Sequence, residues 1–128
     1  MNGDRVMPRI LLVEDNEMNR DMLSRRLRRR GYDVLEAENG DTALEMARGQ
    51  PDVILMDIGL PGRDGWEVAA ALKADPATAE LPVIALTAHA LASDREKSIV
   101  LGFADFDTKP VDFARLVCKI ELQLDRRA

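Results

Sequence analysis

Five short apolar runs, Pro8–Val13, Val34–Glu38, Val53–Met56, Val83–Leu86 and Phe103–Thr108, are separated by stretches whose apolar residues recur at helical spacing. Each run has the length of a strand. Between them, Met18, Met22, Leu23 and Leu27 predict a first helix, with Asn16 as its N-cap and Gly31 just past its end. Ala43, Leu44 and Ala47 predict a second that stops at Gly49, before Pro51. Trp66, Val68, Ala69 and Leu72 predict a third, closed by Asp75-Pro76. Leu91, Ile99 and Leu101 suggest a fourth, mostly polar, ending at Gly102, and Phe113, Leu116, Val117, Ile120 and Leu124 form a fifth stripe.

Strand and helix alternating five times predict an α/β fold, a parallel sheet with helices on both faces. Right-handed crossovers leave few topologies, and at this size the common one is a flavodoxin-like, doubly wound, five-stranded sheet of order 2-1-3-4-5. In such a sheet ligands bind outside the carboxyl ends of the strands, where the winding reverses between the first and third strands.

Composition narrows the function. A chain of 128 residues with 46% hydrophobic content fits one domain. Residues 1–7 read as a short lead, and 8–125 as the folded unit. The net charge is −5 with no all-basic tail, which argues against a nucleic-acid partner. The single Cys118 excludes an internal disulfide and suits a cytoplasmic location. No run approaches the roughly 20 apolar residues that span a bilayer, and Met1–Met7 is not a signal peptide, so no membrane association is expected.

Candidate chemistry lies at the strand ends. Glu14 and Asp15 follow the first run, Asp57 the third and Thr87 the fourth, while the fifth leads into Lys109-Pro110. With adjacent strands about 4.8 Å apart, Asp15 and Asp57 become near neighbours and Thr87 lies one strand further along. Lys109 starts two strands from Asp57, roughly 10 Å by backbone spacing, a gap that a long cationic side chain can close. Three crowded carboxylates repel unless a cation intervenes, and a hard divalent ion such as Mg²⁺ suits their oxygens while leaving room for phosphate oxygens. In-line attack of a carboxylate on a phosphoryl donor needs little beyond positioning and charge neutralisation, and the central Asp57 is the best nucleophile.

The segments Ile10-Leu-Leu-Val-Glu-Asp-Asn16, Pro51-Asp-Val-Ile-Leu-Met-Asp-Ile58, Leu60-Pro-Gly-Arg-Asp-Gly65, Pro82-Val-Ile-Ala-Leu-Thr-Ala88 and Lys109-Pro110 together resemble the receiver domains of bacterial two-component response regulators, of the single-domain CheY-like type. The likeness spans Pro8 to Leu124. It implies that Asp57 accepts a phosphoryl group from a phosphohistidine on a histidine kinase or histidine phosphotransfer protein. It further implies Mg²⁺ bound by Glu14, Asp15, Asp57 and the carbonyl of Gly59, phosphoryl contacts from Thr87 and Lys109, and a cis Lys109-Pro110 bond. Thr87 and Phe106 would form the switch, and the fourth helix, fifth strand and fifth helix would meet a downstream protein target. The protein would act as a monomer or weak dimer, a signalling domain capable at most of self-phosphorylation and self-dephosphorylation. A free-standing protein is favoured over a piece of a hybrid kinase.

Several residues depart from the commonest pattern or have plainer readings. Gly59 lacks a side chain and His89 follows Thr87 by two, positions that in the family tune phosphoryl lifetime; His89 reads first as an exposed loop residue. Phe106 lacks the hydroxyl of the tyrosine often found there, and is otherwise simply core. The run Arg25–Arg30 reads as a solvated helix end. Met18, Met22 and Met56 read as core or rim, Cys118 as a small core filler, Trp66 as packing on a helix face, and Asp64-Gly65 as a turn and N-cap.

Three other functions compete. An aspartate-nucleophile phosphatase usually carries a second acid two residues after the nucleophile, where this chain has Gly59. A flavin or dinucleotide binder needs glycines in the first turn, which here is Glu14-Asp15-Asn16. A receiver that no longer accepts phosphate is disfavoured because every chemical position is filled.

Overall fold

Alternate residues of each central strand feed two different apolar layers, and this fixes where every helix sits. The structure, a computed structural model, describes residues 7–58, 65–87, 96 and 102–127. Its elements run β1 (Arg9–Val13), α1 (Glu17–Arg29), β2 (Asp33–Ala37), α2 (Gly40–Ala47), β3 (Val53–Asp57), α3 (Gly65–Ala74), β4 (Val83–Thr87), β5 (Asp105–Thr108) and α4 (Phe113–Arg127). All strand pairings are parallel, as the alternation predicts, and the order is β2-β1-β3-β4-β5, the doubly wound topology expected at this size. Ile10, Leu12, Val53, Leu55, Ile84 and Leu86 pack against α1 and α4. Leu11, Val13, Ile54, Met56 and Val83 pack against α2 and α3. Both faces are covered, so the central strands read as continuous apolar runs.

The helix starts follow local chemistry. The Asn16 side chain accepts a hydrogen bond from the Asn19 N–H, and the Asn39 side chain does the same for Thr42, each at 2.9 Å. Gly31, at φ +101°, takes the left-handed conformation just past α1 that glycine tolerates.

Three readings change. Met18 and Met22 are exposed, at 82% and 57%. The buried side of α1 is Leu23, Ser24 and Leu27, because Arg20 and Ser24 occupy positions on that side that apolarity alone overlooks. Cys118 is exposed, since the buried stripe of α4 runs through Leu116, Val117, Ile120 and Gln123 and leaves position 118 outside it. Met56 is fully buried, and Trp66 packs edge-on against Phe103 with ring centroids 5.6 Å apart. The basic end of α1 is partly paired: Arg25 meets Asp21, Arg28 meets Glu36, Arg30 meets Glu121, and the Arg26 guanidinium sits 4.3 Å over the Phe113 ring. The predicted fourth helix, Gly59, the turn from Leu60 to Asp64, and His89 lie outside the described residues.

Candidate functional site

The strand order brings the carboxyl ends of β1, β3, β4 and β5 to one edge. Backbone hydrogen bonds continue the ladders one residue past three of those ends: Glu14 N to Ala37 O at 3.0 Å, Ile58 N to Leu86 O at 3.0 Å, and Lys109 N to Thr87 O at 2.7 Å. The chemistry therefore sits on backbone held by the sheet. Asp57 and Thr87 are the last residues of β3 and β4.

Carboxylate oxygens of Glu14, Asp15 and Asp57 all lie within 4.8 Å of one another. Glu14 and Asp57 are buried and Asp15 is exposed. The Lys109 ammonium crosses the gap, with Nζ 2.8 Å from Glu14 Oε1 and 3.2 Å from Asp57 Oδ2. Thr87 is buried at the adjacent strand end, and Phe106 is buried in β5. The Lys109–Pro110 peptide bond is cis. These residues thus share one rim of the molecule, while the place of Gly59 falls outside the described residues.

The electrostatics are those of a site short of positive charge. Burial pushes the Glu14 carboxyl above its ordinary range, and the neighbouring Asp57 adds to this, against the Lys109 ammonium and the Asn16 N–H. Burial alone would lower the Lys109 ammonium, but Glu14 and Asp57 outweigh it and hold it protonated above its ordinary value. Two like charges at such separations cost on the order of 3 kcal/mol near a protein surface. Among the described residues Lys109 pairs with Glu14 and Asp57 while the third carboxylate, Asp15, is exposed, so a divalent cation fits the donor set, which is all hard oxygen.

Two contacts were not legible beforehand. Arg20 donates from Nη1 to the Glu14 carbonyl oxygen at 3.0 Å, tying α1 to the acidic turn. The Asp52 carboxylate accepts from the Arg9 N–H at 2.7 Å, fixing the start of β1 against β3. A helix-face arginine and an acid beside a proline carry no pattern that marks them in the sequence. Beside the site, a cavity of about 450 Å³ opens between α1 and the Lys109 loop, lined by Glu14, Met22, Leu23, Arg26, Lys109 and Val111 among others.

Comparison with known proteins agrees with this geometry. The family model "Response regulator receiver domain" matches residues 10–121. Response regulator PleD of Caulobacter vibrioides is 42% identical over 113 residues, covering 88% of this chain and 25% of that protein. The polar-differentiation response regulator DivK of Brucella anthropi is 38% identical over 120 residues, covering 92% of this chain and 98% of that protein. The chain thus spans a quarter of one relative and nearly all of the other. Among solved structures, the receiver domain of sensor histidine kinase PA1611 from Pseudomonas aeruginosa superposes with a TM-score of 0.86 at 36% identity, covering 94% of this chain and 99% of that one. That structure holds a magnesium ion coordinated in its active-site cleft. The chain belongs to the response regulator receiver domain family, the signalling domains of two-component systems.

Proposed function

We propose that Asp57 accepts a phosphoryl group from a phosphohistidine of a histidine kinase or histidine phosphotransfer protein, and that residues 8–125 form the receiver unit. The observation that carries this reading is the convergence of Glu14, Asp15 and Asp57 within 4.8 Å, bridged by Lys109. Glu14, Asp15 and Asp57, with the carbonyl of Gly59, would hold Mg²⁺, which when bound neutralises the clustered carboxylates and the charge on phosphoryl oxygens. Asp57 supplies the attacking oxygen. As its O–P bond forms in line, the P–N bond to the donor imidazole breaks and the electron pair leaves with that nitrogen. Lys109 lies within reach of the Asp57 carboxylate and would transfer its contact from that oxygen to a phosphoryl oxygen. Thr87, at the end of the adjacent strand, would donate its hydroxyl to another.

Signalling then requires that the phosphorylated site favour one conformation. Thr87 gains a strong acceptor and Phe106, buried one strand away, is the side chain whose rotamer would follow. The fourth predicted helix, β5 and α4 form the proposed face for a downstream protein, in a cytoplasmic protein that is a monomer or weak dimer. Among the described residues no helix is long and apolar enough to cross a membrane.

The test is transfer from a phosphorylated histidine donor to purified protein with Mg²⁺. The parent should be labelled and Asp57→Asn should not, while circular dichroism of the two remains the same. Undiminished labelling of Asp57→Asn would remove Asp57 as the acceptor. Steady turnover of a phosphate monoester, in place of one labelled equivalent, would favour the aspartate-nucleophile phosphatase.

A further inference from the structure

Strand β5 is the edge of the sheet, and two of its residues that face the helical layer are acidic. The register pairs Asp105 with Ile84 and Asp107 with Leu86, and both aliphatic partners belong to the layer under α1 and α4. Asp107 is therefore a carboxylate where an apolar residue would be ordinary, and it is 3% exposed. Its Oδ1 accepts from Arg115 Nε at 2.9 Å, lies 2.8 Å from Arg115 Nη2, and also accepts from the Thr108 N–H at 2.8 Å. Lys119, one turn further along α4, lies 3.9 Å from the same oxygen and 3.6 Å from Asp105, and donates to the Phe106 carbonyl oxygen at 2.5 Å. Asp107 Oδ2 is buried without a hydrogen-bond partner among the described residues.

Asp107 is buried but the Arg115 side chain is 44% exposed, so solvent screens the pair and it adds little net stability, which leaves the holding of position as its use. What these pairs fix is a loop. Lys109 leaves the end of β5 with its N–H on the Thr87 carbonyl, and α4 begins four residues later, where Asp112 accepts from the Arg115 N–H at 3.1 Å. The Asp107–Arg115 contact joins the two banks of that loop across eight residues.

We propose that Asp107, clamped by Arg115 and Lys119 of α4, is a positioning residue for Lys109. It sets the end of β5 so that the ammonium meets the phosphoryl group. The proposal rests on the reading of Lys109 given above. Inward carboxylates on an edge strand also discourage pairing with other chains, and that role alone would leave phosphoryl transfer untouched.

The experiment is a double-mutant cycle on the full chain, reading the initial rate of phosphoryl incorporation from phosphoramidate with saturating Mg²⁺ by intact mass. Asp107→Asn should slow incorporation about tenfold, the scale of a small misplacement of a reacting group. Arg115→Gln should slow it in the same direction, which keeps the test open if Asp107→Asn does not fold. In a Lys109→Ala background the Asp107→Asn change should alter the rate by no more than about twofold, because both changes act through one group. Equal rates for Asp107→Asn and parent, effects that multiply in the double variant, or loss of fold in both single variants would each overturn the positioning role. A Lys109→Ala protein as fast as the parent would instead remove the role of Lys109 itself, and the proposal with it.

Discussion

A Cβ added at Gly65 would stand 2.7 Å from the Cα of Ile58 and 2.9 Å from the Asp57 carbonyl oxygen. The first residue of α3 therefore lies directly against the backbone that carries the proposed acceptor, with Gly65 N donating to Ile58 O at 2.9 Å. Gly65→Ala should cost about 1–3 kcal/mol in urea unfolding, the usual scale of overpacking against backbone, and should slow phosphoryl incorporation as well. Unchanged stability would mean that the contact relaxes freely. Tyr32, the single tyrosine, offers a clean titration. Burial pushes its phenol above the ordinary value of 10.0, Glu121 adds to this, and Arg30 opposes it. A raised folded value means that the folded state keeps its proton longer than the unfolded chain. The stabilisation is thus full below about pH 10 and lost as pH rises through the folded value. The ultraviolet absorbance of the phenolate should appear later in the folded protein than in urea, and Tyr32→Phe should make the alkaline loss of stability shallower. Coincident titrations in folded and unfolded protein would contradict this. At this scale the residues that gather at the site were legible in the sequence, because acids, a hydroxyl and a lysine at strand ends have few structural reasons to do so. The sequence did not reveal Asp107, whose neighbours in the chain look like any polar strand end.

Among the elements, the strands were the most legible, since a run buried on both faces admits little but aliphatic residues. Their ends moved slightly: β3 and β4 extend to Asp57 and Thr87, one residue beyond the apolar runs, because ladder bonding continues after apolarity stops. Helix faces were less legible. On α1 the exposed Met18 and Met22 mimic a stripe, while Ser24 is buried and Arg20 folds over the acidic turn. On α4 the buried Gln123 lies on the core side, and the exposed Cys118 looked like a core residue. The cap at Asn16 was legible because asparagine precedes a periodic segment, whereas the one at Asn39 was not singled out. Asn16→Ala should cost about 1 kcal/mol, read as a lower urea midpoint with an unchanged slope, because the Asn19 N–H loses its acceptor. A midpoint equal to that of the parent would show that water replaces the cap fully.

For the molecule as a whole, topology does most of the positioning. The order 2-1-3-4-5, expected from the alternation together with right-handed crossovers and the common topology at this size, makes residues 14, 57, 87 and 109 share one edge although 95 positions separate Glu14 from Lys109. A switch from 1:99 to 99:1 needs about 5.5 kcal/mol of differential stabilisation. Two charge-assisted hydrogen bonds to phosphoryl oxygens supply roughly 1.5–3 kcal/mol each, so the contacts proposed for Thr87 and Lys109 would approach that sum and a bound target could supply the remainder. The most direct check is to find where the phosphoryl group sits. Borohydride reduces an aspartyl phosphate to homoserine, so peptide mass mapping after reaction with a phosphodonor locates the acceptor. Homoserine should appear at position 57 alone, and only in samples containing Mg²⁺. Homoserine at position 15, or equal conversion at 57 with Mg²⁺ chelated, would contradict a magnesium-assisted acceptor at Asp57.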